Sequence, residues 1–515
     1  MNKEREQAFF DTIRKGYAPD GDTLVLGGAM HDGTCITGLH VQIPLRMLNR
    51  HGLISGATGT GKTKTLQTLV ESLSRKGVPC LLMDIKGDLS GLARPGTPGE
   101  KIDERHRAMG IPWEAAGYPV EFLTISDEKG TRMRATLSEF GPVLFSRILG
   151  LNDTQSGVVS LVFKYCDDNR LPLLDIKDFR KTLQYLTNEA KKEIEREYGR
   201  ISTASTSTII RKIIELEQQG AEQFFGERSF DPDDLLRTDQ HGRGFLSIIR
   251  LTDIQDRPKM FSTFMLSLLA EIYSSFPEEG DLDQPKLAVF IDEAHLLFDE
   301  ATSALLDQIE TIIRLIRSKG VGVFFCTQQP TDVPDAVLAQ LGLKVQHALR
   351  AFTAKDRKNI RSVAENYPLS DFYKTESLLT EMGTGTALIT ALSEKGVPTP
   401  LVHTLLCAPQ SRMDILSPQE LETITQNSEL GAKYNESIDR ESAYEMINAR
   451  ISAPAPPEDV SDDKPPAQEK SVLEEVAGST VGRQVARTVA REITRGLLGV
   501  LGVTRTGRKR RSSWF

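Results

Sequence analysis

Eight residues, Gly56-Ala57-Thr58-Gly59-Thr60-Gly61-Lys62-Thr63, fit the pattern G-x-x-x-x-G-K-[ST] and constrain the fold more than any other stretch of the chain. At ordinary residue frequencies roughly 0.02 chance matches are expected over this length, so the pattern stands above background. An apolar run, Gly52-Leu53-Ile54-Ser55, precedes it. From Lys64 to Lys76 apolar residues recur at Leu66, Leu69, Val70 and Leu73, which is helical spacing. Strand, glycine turn and helix form the setting in which backbone N–H groups turn inward around phosphates, at a helix N-terminus whose dipole favours anions. The segment therefore predicts ATP bound along Gly56, Ala57, Thr58, Gly59, Thr60, Gly61, Lys62 and Thr63, with Lys62 reaching the β- and γ-phosphates and the Thr63 hydroxyl on Mg²⁺.

A second element, Leu287-Ala288-Val289-Phe290-Ile291, is an apolar strand that ends in Asp292-Glu293. With a P-loop upstream, Asp292 is read as a magnesium ligand and Glu293 as the carboxylate that orients and deprotonates water for attack on the γ-phosphate. A water-activating Glu beside the Asp favours hydrolysis over phosphoryl transfer to a bound acceptor.

Further strands are expected at Val78–Ile85, Glu121–Ile125, Gly244–Leu251, Gly322–Cys326, Val345–Leu349 and Thr386–Thr390, mostly short continuous apolar runs as in a sheet buried on both faces. Helical patterns such as Phe261–Ser274 and Ala304–Arg317 separate several of them, so the fold expected is α/β, a RecA-like P-loop core with a largely parallel central sheet. Leu24–Ile43 reads as short strands broken by glycine turns. Between Leu137 and Asp239 strand signals nearly vanish, while charged amphipathic stretches, Asp178–Arg196 and Thr206–Gln219, take over.

The expected order is a β lead-in (1–45), the first part of the ATPase core (46–136), a helical insertion (137–239), the second part of the core (240–410), a helical and polar extension (411–452), a Pro- and acid-rich linker (453–470) and a basic amphipathic tail (471–515). At 39% hydrophobic and 26% charged, the 515 residues are ordinary for a soluble protein with a sizeable core. Cys35, Cys80, Cys166, Cys326 and Cys407 lie far apart without CxxC pairs, which fits a reducing cytoplasm and no zinc site. Neither a signal peptide nor a membrane span is read from the sequence. The net charge of −8 hides an asymmetry: residues 471–515 carry nine Lys/Arg against three Asp/Glu, or +6, which leaves −14 for the first 470.

Asn49-Arg50-His51-Gly52 through Thr63, Met83-Asp84-Ile85-Lys86-Gly87-Asp88, Asp292-Glu293-Ala294-His295 and Cys326-Thr327-Gln328-Gln329-Pro330 together resemble the HerA/FtsK superfamily of hexameric DNA-translocating ATPases, and within it the HerA-like bacterial proteins. The resemblance runs from about residue 20 to 407. It implies that Gln328 senses the γ-phosphate, and Gln329 stands where many members have Arg. It also implies an arginine supplied to the neighbouring subunit's ATP from the helix after the acidic strand, which points to Arg317, with Arg314 and Arg350 as competitors. Arg50 falls where HerA proteins carry a nucleotide-facing arginine. Asp84 and Lys86 end a strand at the P-loop edge of the sheet, where ligands bind in open α/β folds.

Residues 478–499 carry small, basic and apolar stripes at four-residue spacing, including Arg483, Arg487, Arg491 and Arg495, and Arg505 to Arg511 add a basic terminus. Such a tail suits phosphate, an acidic partner protein or a membrane surface. No base-reading motif is present, so contact with DNA is expected to be with its backbone. The function expected is an ATP-hydrolysing ring motor, a homohexamer on DNA. The alternatives are an ATP-dependent assembly or regulatory module, or a polypeptide motor, with a partner-binding tail.

Overall fold

The computed structural model describes residues 3–254, 257–280, 282–298, 303–436, 438 and 440–452. The linker at 453–470 and the basic tail at 471–515 lie outside these residues. They divide into two units, one of residues 3–134 with 228–436, the other of 135–227 with 438–452.

The first unit is built on one sheet of twelve strands among the described residues. In chain order they are β1 (Thr23–His31), β2 (Thr34–Pro44), β3 (Gly52–Ser55), β4 (Cys80–Asp84), β5 (Val120–Thr124), β6 (Thr131–Arg132), β7 (Leu246–Arg250), β8 (Leu287–Ile291), β9 (Val321–Thr327), β10 (Leu343–Gln346), β11 (Thr386–Thr390) and β12 (Val402–Leu406). Across the sheet they run β2-β1-β12-β11-β10-β3-β9-β8-β4-β7-β5-β6. From β10 to β6 every neighbouring pair is parallel, while β11, β12, β1 and β2 add an antiparallel flank. Parallel strands need helical crossovers on the sheet faces, so their side chains are covered on both sides. Every residue of β3, β4, β8 and β9 is accordingly buried. At the centre Phe290 and Phe324 stack at 4.6 Å and 12°.

The α/β fold with a mostly parallel sheet is as expected from the sequence. Elements differ in detail. The amino-terminal segment opens with a helix, Lys3–Gly16, which seats Phe9 and Ile13, one turn apart, in the core. β10 begins and ends before the expected Val345–Leu349, because the backbone after Gln346 leaves its β11 partner and turns towards the P-loop. β12 was not anticipated. Residues 228–239 belong to this unit rather than to a helical insertion: the turn Pro232–Leu236 is held by Asp234, whose carboxylate accepts from Lys433 Nζ at 2.5 Å and from the Tyr434 hydroxyl.

The second unit is helical. Leu137–Ile148, Asp153–Asp168, Ile176–Thr187, Lys191–Glu197 and Thr203–Gln218 pack around Phe145, Phe163 and Phe179, and Phe145 meets Phe179 at 4.9 Å. Capping boxes at Thr136/Glu139, Asn152/Gln155 and Asp175/Asp178 set three of the starts. The amphipathic stretch Asp178–Arg196 is two helices rather than one, broken at Asn188, whose ψ of −81° departs from the helix. A last helix, Ala443–Ser452, docks through Asp178, which accepts from Ser442 Oγ at 2.5 Å and Tyr444 N at 2.9 Å. Among the described residues no helix is long and apolar enough to cross a membrane.

Candidate nucleotide site

Parallel register is what assembles the site. Ser55 pairs with Thr327 on one side and Gln346 on the other, and Ile291 pairs with Phe325 and Met83. Gly56, Gln328, His347 and Asp292, which follow these strands, and Asp84, the last residue of β4, therefore emerge at one sheet edge, the carboxyl-terminal edge where open α/β sheets take ligands.

The loop from Gly56 to Thr63 leaves β3 and enters the helix Lys62–Arg75. Gly56 has φ of 152°, and a Cβ there would stand 2.4 Å from that of His347, so no side chain fits between loop and strand. Two bonds anchor the loop to its flanking strands, Gly56 N to Thr327 O at 3.3 Å and Ala57 N to Ala348 O at 2.9 Å. Gly385 N donates to Thr60 O at 3.1 Å from the far side. The first N–H groups of a helix have no intrahelical acceptor, so this cradle is an anion site by construction.

Lys62 is buried and its ammonium donates to the carbonyls of Gly56 at 2.6 Å and Ala57 at 3.3 Å. Burial, and after it the charge of Lys86, holds its pKa below the ordinary lysine value, while Glu293 and Asp292 pull it up. Thr63 is half-buried in the first helical turn. Asp292 is buried and its pKa is pushed up to about 6 by desolvation, against the opposing charge of Lys86. Glu293, also buried, has φ of 46°, a left-handed backbone that non-glycine residues adopt at a cost of about 1 kcal/mol or more. Its Oε1 is ion-paired with Lys86 Nζ, and its Oε2 lies 3.2 Å from His295 Nδ1.

Asp84 is turned to its own loop: Oδ1 accepts from Gly87 N at 2.8 Å and Asp88 N at 3.1 Å, and Oδ2 from Leu89 N at 3.2 Å. Burial, with Asp88 adding to it, raises its pKa to about 7. Of the Asp84–Lys86 pair it is Lys86 that reaches the acidic strand end. Gln328 is exposed at the apex of a turn tied by Asp332, which accepts from Thr327 Oγ1 at 2.5 Å and Gln329 N at 2.9 Å. It lines a cleft of about 460 Å³ with Ala57, Thr58, Arg350, Phe352 and Asn359.

The arginines separate by edge. Arg350 follows β10 and shares the cleft with the P-loop. Arg50 precedes β3, so the strand itself, four residues or about 13 Å, stands between it and its own P-loop. Arg317 sits just before β9 begins, also at the amino-terminal edge, and is exposed, as is Arg314 on the helix Ser303–Ile316. His347 was missed. It is buried behind the loop, its Nε2 2.9 Å from Thr65 Oγ1, with its pKa lowered to about 4 by burial and by Lys62. The signal available was Gln346-His347, two polar residues inside an apolar strand.

The donor set fits Mg²⁺ with a nucleotide. Among the described residues no group of three His, Cys, Asp or Glu is arranged to hold a metal ion on its own, and magnesium bound with phosphates needs only one or two protein oxygens, a number that Asp292 and Thr63 would supply.

The family described as helicase HerA-like C-terminal matches residues 33–470. A DNA double-strand break repair helicase HerA from Sulfolobus acidocaldarius is 22% identical over 368 residues, 67% of this chain and 64% of that protein, so the match stops short of two thirds of the relative's length. Among solved structures, the bacterial conjugative coupling protein TrwBdeltaN70 superposes with a TM-score of 0.51 at 14% identity, covering 79% of this chain and 95% of the other. The plasmid coupling protein TrwB in complex with a non-hydrolysable GTP analogue gives a TM-score of 0.50 at 14% identity, covering 77% and 98%. At these identities the structural likeness speaks for the fold.

Proposed function

Since this chain belongs to the HerA-like helicase C-terminal family, we propose that it is a Mg²⁺-dependent ATP hydrolase that works as a ring motor on DNA. The observation that carries the hydrolase reading is the meeting, at one sheet edge, of a P-loop with a buried Asp-Glu pair. The nucleotide named for a TrwB structure and the DNA repair role named for the HerA relative are in keeping with it.

In this mechanism the loop amides and helix terminus bind the triphosphate. Lys62 exchanges the carbonyls of Gly56 and Ala57 for the β- and γ-phosphate oxygens, which satisfy an ammonium better than neutral carbonyls do. Thr63 and Asp292 would hold magnesium, which when bound neutralises charge that develops on the β- and γ-oxygens. Glu293 orients water and takes its proton. Gln328, on the tied turn, reads the γ-phosphate. Arg317 reaches the phosphates of a neighbouring copy, with Arg50 at the same sheet edge; Arg350 is its competitor from within the chain.

ATP turnover is to be measured with and without double- and single-stranded DNA at low salt, where backbone binding is strongest. Glu293→Gln is expected to lose about 10²-fold or more in kcat while binding ATP as the wild type does. An unaffected rate sinks the general-base assignment. DNA that neither binds nor stimulates removes the DNA track and leaves an ATPase that acts as an assembly factor or on polypeptide.

A further inference from the structure

Lys86 stands at the turn after β4, and the turn is held still. Three backbone N–H groups, those of Gly87, Asp88 and Leu89, converge on the Asp84 carboxylate at 2.8 to 3.2 Å. From this fixed base the Lys86 side chain crosses to the adjacent strand β8 and pairs with Glu293 Oε1. The two partners differ in exposure, 41% for the Lys86 side chain and 8% for that of Glu293.

The two oxygens of Glu293 are not equivalent. Oε1 is engaged by a cation. Oε2 is buried and makes no hydrogen bond among the described residues, with His295 Nδ1 3.2 Å away. A left-handed backbone at Glu293 fixes where the side chain starts, not the plane of its oxygens, which a contact at the carboxylate itself must set. The lysine does so from one side only.

We propose that Lys86 is the positioning residue for Glu293: by holding Oε1 it fixes the orientation of the carboxylate that takes the proton of the attacking water. The inference rests on the reading of Glu293 as general base. The Lys86 side is 41% exposed and screened by solvent, and what the contact imposes on the buried Glu293 carboxylate is a geometry.

Lys86→Met removes the charge at nearly constant length. It is expected to lower kcat by about a hundredfold, the scale of an ångström misplacement, with the KM for ATP and the affinity for a fluorescent ATP analogue with Mg²⁺ unchanged. Lys86→Arg, which keeps the cation, is expected to recover to within about tenfold of wild type. In single-turnover measurements on a Glu293→Gln background, Lys86→Met is expected to add no further loss, because both substitutions remove the same function.

A rise in kcat, a rise in KM at constant kcat, or losses that add across the double variant each overturn the proposal. Should Lys86→Met melt early, Lys86→Gln against Lys86→Arg gives the same comparison. If Glu293→Gln alone leaves turnover intact, it is the general-base reading that has failed, and the Lys86 inference falls with it for a separately visible reason.

Discussion

The ring of His51 bridges two segments that flank the P-loop strand. Nε2 donates to Ile313 O at 2.8 Å and Nδ1 accepts from Val323 N at 3.0 Å, which only the neutral ring with its proton on Nε2 can do. Burial drives its pKa down to about 4, and the nearby Arg317 charge adds to the shift. A folded pKa below the unfolded 6.5 means the unfolded chain binds more protons, so stability present above pH 6.5 is lost as pH falls towards 4, to a limit of about 3 kcal/mol. His347, lowered to about 4 as well, acts in the same window and direction. Asp84 and Asp292, raised to about 7 and about 6, act with the opposite sign, since their protonated forms suit the fold. The wild-type profile is therefore a sum, and the informative quantity is a difference. His51→Gln is expected to lower stability at pH 7.5 but to lose less between pH 6.5 and 4.5 than wild type, measured by urea unfolding at both ends. Parallel profiles for the two proteins contradict the assignment.

Whole elements are tied down by equally specific contacts. Glu71, on the P-loop helix and 1% exposed, accepts from Gln410 N at 2.8 Å, Ser411 N at 3.0 Å and Ser411 Oγ at 2.5 Å, and Lys64 at the start of that helix donates to Met413 O at 2.6 Å. On the other side of this strap a Cβ at Gly91 would stand 2.1 Å from the Asp414 carbonyl oxygen and 2.2 Å from that of Arg412. Segment 409–414 thus sets the seat of the helix whose first turn cradles phosphate. Glu71→Ala strands three donors, two of them buried, and is expected to cost about 3 kcal/mol, read from denaturant unfolding, and to raise the KM for ATP more than it lowers kcat. Gly91→Ala, which drives a methyl group into backbone oxygens, is expected to lower the melting temperature by several degrees. The strap also marks where sequence reading stops. Strands β4, β8 and β9 were legible because parallel strands covered on both faces must be apolar throughout, and the P-loop was legible because its chemistry is local. The helix Lys3–Gly16 shows its burial only at Phe9 and Ile13 among charged residues, and β10 was misplaced because its four residues include Lys344 and Gln346 and so lack the continuous apolar run expected of a strand covered on both faces. Lys86 was visible as a polar strand end, yet its pairing with Glu293, like that of Glu71 with Ser411 across 340 residues, joins positions whose spacing carries no signal.

At the scale of the molecule the two edges of the parallel sheet carry different halves of the proposed chemistry. Lys62, Asp292, Glu293 and Gln328 follow strands β3, β8 and β9, whereas Arg317 and Arg50 precede β9 and β3. One chain cannot fold its amino-terminal edge onto its own carboxyl-terminal edge, so an arginine from Arg317 reaches phosphate only when another copy presents it. A head-to-tail contact between copies does this, and repeated through a closed rotation it makes a ring in which every site has two contributors. The consequence is arithmetic. Lys62→Ala and Arg317→Ala are each expected to lose most turnover, the arginine by about 10³-fold if it acts as an arginine finger does. Mixed in equal amounts and allowed to exchange subunits, they regenerate a site wherever an Arg317→Ala subunit supplies the P-loop and a Lys62→Ala subunit supplies the arginine, which is about one site in four for random order. ATPase activity is expected to recover towards a quarter of wild type. The control is a mixture of Lys62→Ala with Glu293→Gln: both residues serve the same subunit's P-loop, no arrangement restores a complete site, and no recovery is expected. Recovery in the control as well means that wild-type-like sites form by some route other than a shared interface, and absence of recovery in both leaves Arg317 a surface residue and turns attention to Arg350, the arginine that already lines the P-loop cleft of its own chain.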